Sequence, residues 1–423
     1  MIVFAATLIT VFSIPGQTMG FSVFTDLMMT ELGLSRVTLS LAYCVGTVAS
    51  GFTLPWLGRL FDRFGERRMA VYASGATGLI LFYFAGIGPL LAVFEGARSV
   101  IAFILITAGF YLIRASAQGV MSMAGRNAIG KWFNHRRGIA AATAGLLTSF
   151  AFSVAPGYLD RLIQSYGHRG AWVVMGAAMF LVVAPLCWLL FRDDPESVGM
   201  EMDGGLVAHS GNANPDLVIH REFTREEAVA GYTFWIFNLS FAFYALYGTA
   251  FTFHVVSLGA EFGFAKERML AFFPAIAGVS VATNLGFGWA SARVRLKWLL
   301  LVENLAGVVA AAGLLSLNLP GGVPAYVIGN GIASGDFVCL SGIFLPRFFG
   351  RRHLGAISGA NMACMVIASG LGPLLFGGCV YATGSYRTIL LLSMLIPALL
   401  ALLTLKADNP QRALDPVEPA VAR

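Results

Sequence analysis

The sequence predicts an all-α membrane protein of twelve transmembrane helices arranged as two six-helix halves. Three observations predict it. Of 423 residues, 57% are hydrophobic and only 12% charged, against roughly 25% charged in a soluble domain, and the mean hydropathy is +0.75. Apolar runs of bilayer-crossing length, about 20 residues, recur from one end of the chain to the other. Basic residues alternate in density between successive loops.

The runs fall at 2–27, 37–58, 69–93, 99–125, 138–160, 171–191, 231–257, 268–291, 298–318, 323–346, 354–382 and 387–406. Lipid offers the backbone no hydrogen-bond partner, so each must be helical. Span 1 is too long for a signal segment and lacks a basic stretch before it, so it reads as a span, with the true start left open upstream. The Gly- and Pro-rich stretch 298–346 is the easiest to divide wrongly. Between spans 6 and 7 lies the longest polar stretch, 192–230, read as a tether. Its end, "FTREEAVAGYTFW", carries a capping box, Thr224 to Glu227, that predicts a short helix leading into span 7. The expected organisation is an N-terminal half at 1–191, a cytoplasmic linker at 192–230, a C-terminal half at 231–407 and a tail at 408–423.

With the N-terminus on the cytoplasmic side, the cytoplasmic loops and tail hold 20 of the 28 Lys and Arg: four in 59–68, four in 126–137, three in 192–225, three in 293–297, three in 347–352 and three after 405. The outer loops hold seven. This bias obeys the positive-inside rule and predicts an inner-membrane protein with both termini cytoplasmic. The net charge of +6 therefore sets topology and recruits no nucleic acid. The partner it implies is the lipid bilayer. Cys44, Cys187, Cys339, Cys364 and Cys379 all fall within predicted spans as packing residues. The six histidines form no ligand-spaced cluster, so no metal and no cofactor is indicated. No metal-spaced His/Asp/Glu cluster and no Ser/His pair lies within one predicted path, which argues against an enzyme.

The halves echo each other. "GRLFDRFGERR" follows span 2 and "GWASARVRLK" follows span 8, with Gly58 and Gly288 each five residues before an arginine, Arg63 and Arg293. "WFNHRRGIA" follows span 4 and "FFGRRHLGA" follows span 10.

"GRLFDRFGERR" matches G-x-x-x-D-R-x-G-x-R-R, and with the twelve spans and the degenerate second copy the chain resembles the major facilitator superfamily over residues 1–407. "GQTMGFSVF", "KWFNHRRGIA", "DDPESVGMEMDG" and "FFGRRHLGAISG" make it similar to the bacterial branch related to monocarboxylate transporters and oxalate/formate antiporters. The resemblance implies that Gly58, Asp62, Arg63, Gly65, Arg67 and Arg68 form a gating latch that touches no substrate. Physically, Gly65 permits a tight turn while Asp62 and Arg63 sit at a helix end. Ala292 stands where Asp62 would align in the second copy, so the latch is expected to be asymmetric.

Ionisable residues deep in a membrane are functional candidates by default. Arg114 is midway along span 4 and Asp336 midway along span 10, helices that the resemblance places on the central path. Glu303 in span 9 falls on a peripheral helix and reads as structural. The sequence leaves open whether Arg114 pairs with Asp336. Arg114 is the expected receiver of a substrate carboxylate, which its guanidinium fork suits. Tyr111 and Gln118 share its helix, Gln17 lies on span 1, Tyr244 and Tyr247 lie on span 7, and Asn361 lies on span 11. Asp336 and then His254 are the candidates for proton coupling.

The relatives named above use charged groups in spans 8 and 11. Here span 8 has none between Arg268 and Arg293, and span 11 has no lysine. Their substrates are therefore not carried over, and one deep arginine suits a monocarboxylate better than oxalate. The expected function is proton-coupled symport of a small organic anion by alternating access. Its rivals are an exporter of neutral or cationic hydrophobic solutes, with Arg114 structural, and a non-transporting receptor.

Overall fold

A computed structural model describes residues 1–92, 98–205 and 217–414. Among these residues nine helices are long and apolar enough to cross a membrane. Two of the nine contain a break. The helix Arg36–Leu91 is interrupted at Gly65 (φ 81°, ψ 164°), and the helical stretch Arg137–Leu190 at Gly167 (φ 70°, ψ 167°). Both glycines hold a left-handed φ that a side chain would strain. The breaks separate spans 2 and 3 and spans 5 and 6. Span 1 is itself discontinuous, built from Ile2–Val11, Thr18–Ser22 and Thr25–Leu32. Twelve membrane segments result, as the apolar runs predict.

Span 4 departs from its predicted end. It continues as helix from Arg98 to Trp132, seven residues past the predicted limit at 125. The polar residues that ended the apolar run face protein rather than lipid: Asn127 is buried, and Lys131 pairs with the buried Glu66 at 2.9 Å. Spans 7 to 12 are the helices Tyr232–Glu261, Lys266–Ala290, Leu296–Leu315, Gly322–Phe348, Leu354–Thr383 and Arg387–Thr404. The short helix Arg225–Ala230 precedes span 7, and both hydrogen bonds of the Thr224–Glu227 capping box are formed.

The end of the bundle that carries the Lys/Arg-rich loops, here the basic end, is closed. Spans 2 and 11 meet where a Cβ on Gly58 would stand 2.9 Å from Gly359 Cα. Spans 5 and 8 meet where a Cβ on Gly288 would stand 2.7 Å from Gly138 O. Both contacts need glycine because backbone touches backbone. Asp62 accepts from the amides of Gly355 and Ala356, both at 2.8 Å, capping the N-terminus of span 11 from the other half of the chain. Arg351 donates to Lys131 O at 2.8 Å and pairs with Glu196 at 2.9 Å. Ser358 donates to Asn127 at 2.8 Å and Asn284 to Ala142 O at 3.1 Å.

The stretch between spans 6 and 7 is more than a tether. Asp203, at φ 57°, accepts from the amides of Asn134, His135 and Arg136 at 2.9–3.2 Å, just ahead of span 5. Glu222 accepts from the amides of Arg351 and Arg352 at 2.6 and 2.8 Å, just ahead of span 11. Two carboxylates of the linker thus cap equivalent loops in the two copies.

Candidate functional site

The site begins with the break in span 1. Pro15 supplies no N–H, and the chain passes through a single 3-10 turn, Ile14–Gly16, into an extended Gln17 (φ −84°, ψ 153°). Such a break inside a bilayer leaves backbone carbonyls that need donors. Arg114 provides one, donating from Nη1 to Gly16 O at 3.0 Å and from Nη2 to Ser369 Oγ at 3.1 Å. Its guanidinium also lies 5.2 Å from the centre of the Tyr43 ring, and the residue is 1% exposed. Arg114 therefore ties the span 1 break to span 11.

Arg114 also starts a π-helical stretch, Arg114–Met121. The wider turn shifts helical register, so Arg114 meets span 1 while Gln118, Ser122 and Arg126, at successive four-residue steps, border a central cavity of about 450 Å³. Gln17, Phe152, Tyr244, Phe337, Ser341 and Ser369 complete much of its wall. Gln17 donates from Nε2 to Ser13 at 3.1 Å and to Ser122 at 3.4 Å. Gln118 Oε1 is buried with no donor.

Arg126 is the cation of this cavity. Among the described residues no acidic side chain pairs with it, whereas its neighbours in sequence and space are engaged. Lys131 is held by Glu66, and Arg137 donates to the carbonyls of Phe133 and Gly130. Arg126 stands outside the predicted span, among the loop residues 126–137. The longer helix moves it onto the cavity wall. The four-residue spacing from Gln118 through Ser122 was the signal that could have found it.

The remaining candidates scatter. Asp336 is fully buried, and neither carboxyl oxygen has a hydrogen-bond partner among the described residues. It makes no pair with Arg114, whose Nη1 and Nη2 donate to Gly16 O and Ser369 Oγ. Tyr244 lines the cavity, while Tyr247 lies behind it with its hydroxyl unpartnered. Tyr111 shares a hydrogen bond with Thr53 at 3.0 Å and does not line the cavity. Asn361 donates to Asn238 at 2.9 Å and borders a crevice that also touches Arg126. His254 has both ring nitrogens engaged, one with Pro373 O at 3.0 Å and the other with the Tyr386 hydroxyl at 2.8 Å. In the motif after span 2, Gly58 and Asp62 make the cross-half contacts already described. Arg67 donates to Trp188 O at 2.7 Å and stacks on that ring at 3.9 Å. Its amide donates to Asp193 at 2.9 Å, beside Gly65. Arg63 lies 5.4 Å from the Phe64 ring centre, and Arg68 is exposed.

Residues 6–339 match the family description Major Facilitator Superfamily. The chain belongs to the major facilitator superfamily. As a facilitator it is a membrane transporter and not an enzyme. No curated protein sequence matches it significantly. Its fold is similar to that of the E. coli fucose:proton symporter FucP in the outward conformation, at a TM-score of 0.68 and 12% identity over 96% of this chain and 98% of that one. It is also similar to the proton:xylose symporter XylE (0.66, 16%, 96% and 94%) and to the human organic anion transporter MFSD10 (0.61, 13%, 95% and 98%). These identities carry the facilitator fold alone.

Proposed function

We propose that this facilitator moves a small organic monocarboxylate across the inner membrane by alternating access between its two six-helix halves, with proton symport. The observation that carries the reading is Arg126: a permanent cation on the wall of a cavity of about 450 Å³, with no acidic partner among the described residues. A cation held in a membrane cavity calls for an anion, and one charge suits one carboxylate. Gln17 and Gln118 stand beside it, and a hydroxyl on the cargo would satisfy Gln118 Oε1. The apolar lining, including Phe152, Phe337 and Met365, accommodates a short carbon chain. In this reading the basic end is cytoplasmic and the closed contacts there describe an outward-facing state. Arg114 acts as a positioning residue, holding Gly16 and Ser369 rather than substrate.

The placement of Arg114 favours the rival in which it is structural and the cargo is a neutral or cationic hydrophobic solute. Arg126 weighs against a cationic cargo, which it would repel at close range. Uptake into proteoliposomes decides between them, using lactate, pyruvate, acetate, oxalate and the uncharged lactamide. The reading expects uptake of the three monocarboxylates, with oxalate and lactamide excluded. Uptake of lactamide alone contradicts it.

A further inference from the structure

Glu303 of span 9, read from sequence as structural, has no hydrogen-bond or ion-pair partner among the described residues. It is 3% exposed and neither carboxyl oxygen is hydrogen-bonded, and the same holds for Asp336 at 0%. Spans 9 and 10 pack along each other, touching where a Cβ on Gly329 would stand 2.6 Å from Ala310 N. Asp336 and Glu303 each lie seven residues, two helical turns, from that contact toward the basic end, so the antiparallel helices bring the two carboxyls to one level on their facing sides. A buried carboxyl must be paired, hydrogen-bonded or protonated, and two that share a site cannot both ionise cheaply. Beside Glu303 is a second cavity of about 20 Å³, lined by Glu303, Tyr244, Tyr247, Ser240, Asn304 and Asn330. That volume admits about one water. Tyr244 borders both cavities and lies against Phe337, with ring centres 4.8 Å apart. It is the partition between the carboxyl pair and the chamber that holds Arg126.

We propose that Glu303 and Asp336 form one proton-binding site, a carboxyl pair behind Tyr244 that takes up a proton when an anion occupies the main cavity. The chemistry is the making and breaking of one O–H bond, with the proton arriving from and leaving to water. A negative charge placed on Arg126 favours proton binding nearby, and by linkage the proton favours anion binding. One proton with one monocarboxylate makes the cycle electroneutral. The titratable groups beside the pair are Tyr244 and Tyr247 of span 7, which line the Glu303 cavity, and Cys339, three residues from Asp336 on span 10. Arg126 stands across the partition, in the main cavity, while Arg137 and Arg347 donate to backbone carbonyls. Span 8 from Phe272 onward and span 12 beyond Arg387 present no acidic or basic residue. The coupling step rests on the Arg126 reading; the proton site does not.

The test separates the two. Infrared spectroscopy of the purified full-length protein, without substrate, should show a protonated-carboxyl C=O band that both Glu303→Gln and Asp336→Asn weaken. These substitutions mimic the neutral acids and add no buried charge. Wild-type protein labelled with carboxyl-¹³C glutamate should shift part of the band, a reading that needs no variant. Absence of the band, or its loss when sodium is added at constant pH, overturns the site. In proteoliposomes an inward-acid gradient of one pH unit should accumulate lactate up to about tenfold in wild type. Either variant should bring gradient-driven accumulation down to the level of simple equilibration. Variants that still accumulate lactate overturn the coupling role. A protein that shows the band but moves no carboxylate leaves the site standing and overturns the anion reading instead.

Discussion

Arg114 donates to the carbonyl of Gly16 at 3.0 Å across 98 residues of chain. The deepest arginine of the N-terminal half thus serves the backbone of a broken helix. Replacing it with Gln shortens the reach and strands a buried carbonyl, at a cost of about 1–3 kcal/mol. The melting temperature in detergent should fall and the maximal uptake rate with it, while KM for lactate changes by less than about threefold. A large rise in KM with unchanged melting would restore Arg114 as a substrate ligand.

Asp62 caps the first amides of span 11 from span 2. Asp62→Asn keeps the shape but removes the charge that the helix N-terminus favours. A loss of about 1–2 kcal/mol there corresponds to roughly 5- to 30-fold faster amide exchange at Gly355 and Ala356, read by hydrogen–deuterium exchange. Unchanged protection would mean that the glycine contacts alone hold the basic end shut.

Asp203 gathers three amides ahead of span 5 from a left-handed backbone. Asn tolerates that conformation and retains an acceptor, whereas Ala does neither. Asp203→Ala should lower the melting temperature clearly more than Asp203→Asn, with about 1–3 kcal/mol lost for Ala. Equal effects of the two would point to charge rather than capping.

Gly58 admits no side chain between spans 2 and 11. Gly58→Ala should part them at the basic end. Spin labels at the exposed positions Arg68 and Arg352 should then show a longer distance population than in the unsubstituted background. An unaltered distribution would show that the helices can absorb a methyl group without opening.

What the sequence revealed follows local physics. The twelve spans, the turn at Gly65 and the Thr224 capping box were legible because each requirement is met within a few residues. Gly58 and Asp62 were singled out only by the family motif, since their partners on span 11 lie 293 or more residues away. Asp203 was not legible, since its partners lie 67–69 residues away and nothing in "MEMDGG" names them. Arg126 was hidden by hydropathy, which ends a span at polar residues whether they face lipid or a cavity. Arg114 was singled out as the unusual residue, but the π-helical turn that aims it at span 1 has no signature in a pattern of 3.6-residue period. Glu303 looked peripheral because the resemblance places its helix on the periphery, and the sequence does not show that span 9 packs along span 10.

The most direct test of the account is lactate uptake into proteoliposomes by wild type, Arg126→Lys and Arg126→Gln. Loss of a charge-assisted bond of about 1.5–3 kcal/mol predicts that Arg126→Gln raises KM by roughly 10- to 150-fold. Arg126→Lys, which keeps the charge without the fork, should fall between Arg126→Gln and wild type. Equal KM values in all three proteins would contradict the account, because the cavity's cation would then be no receiver of the carboxylate.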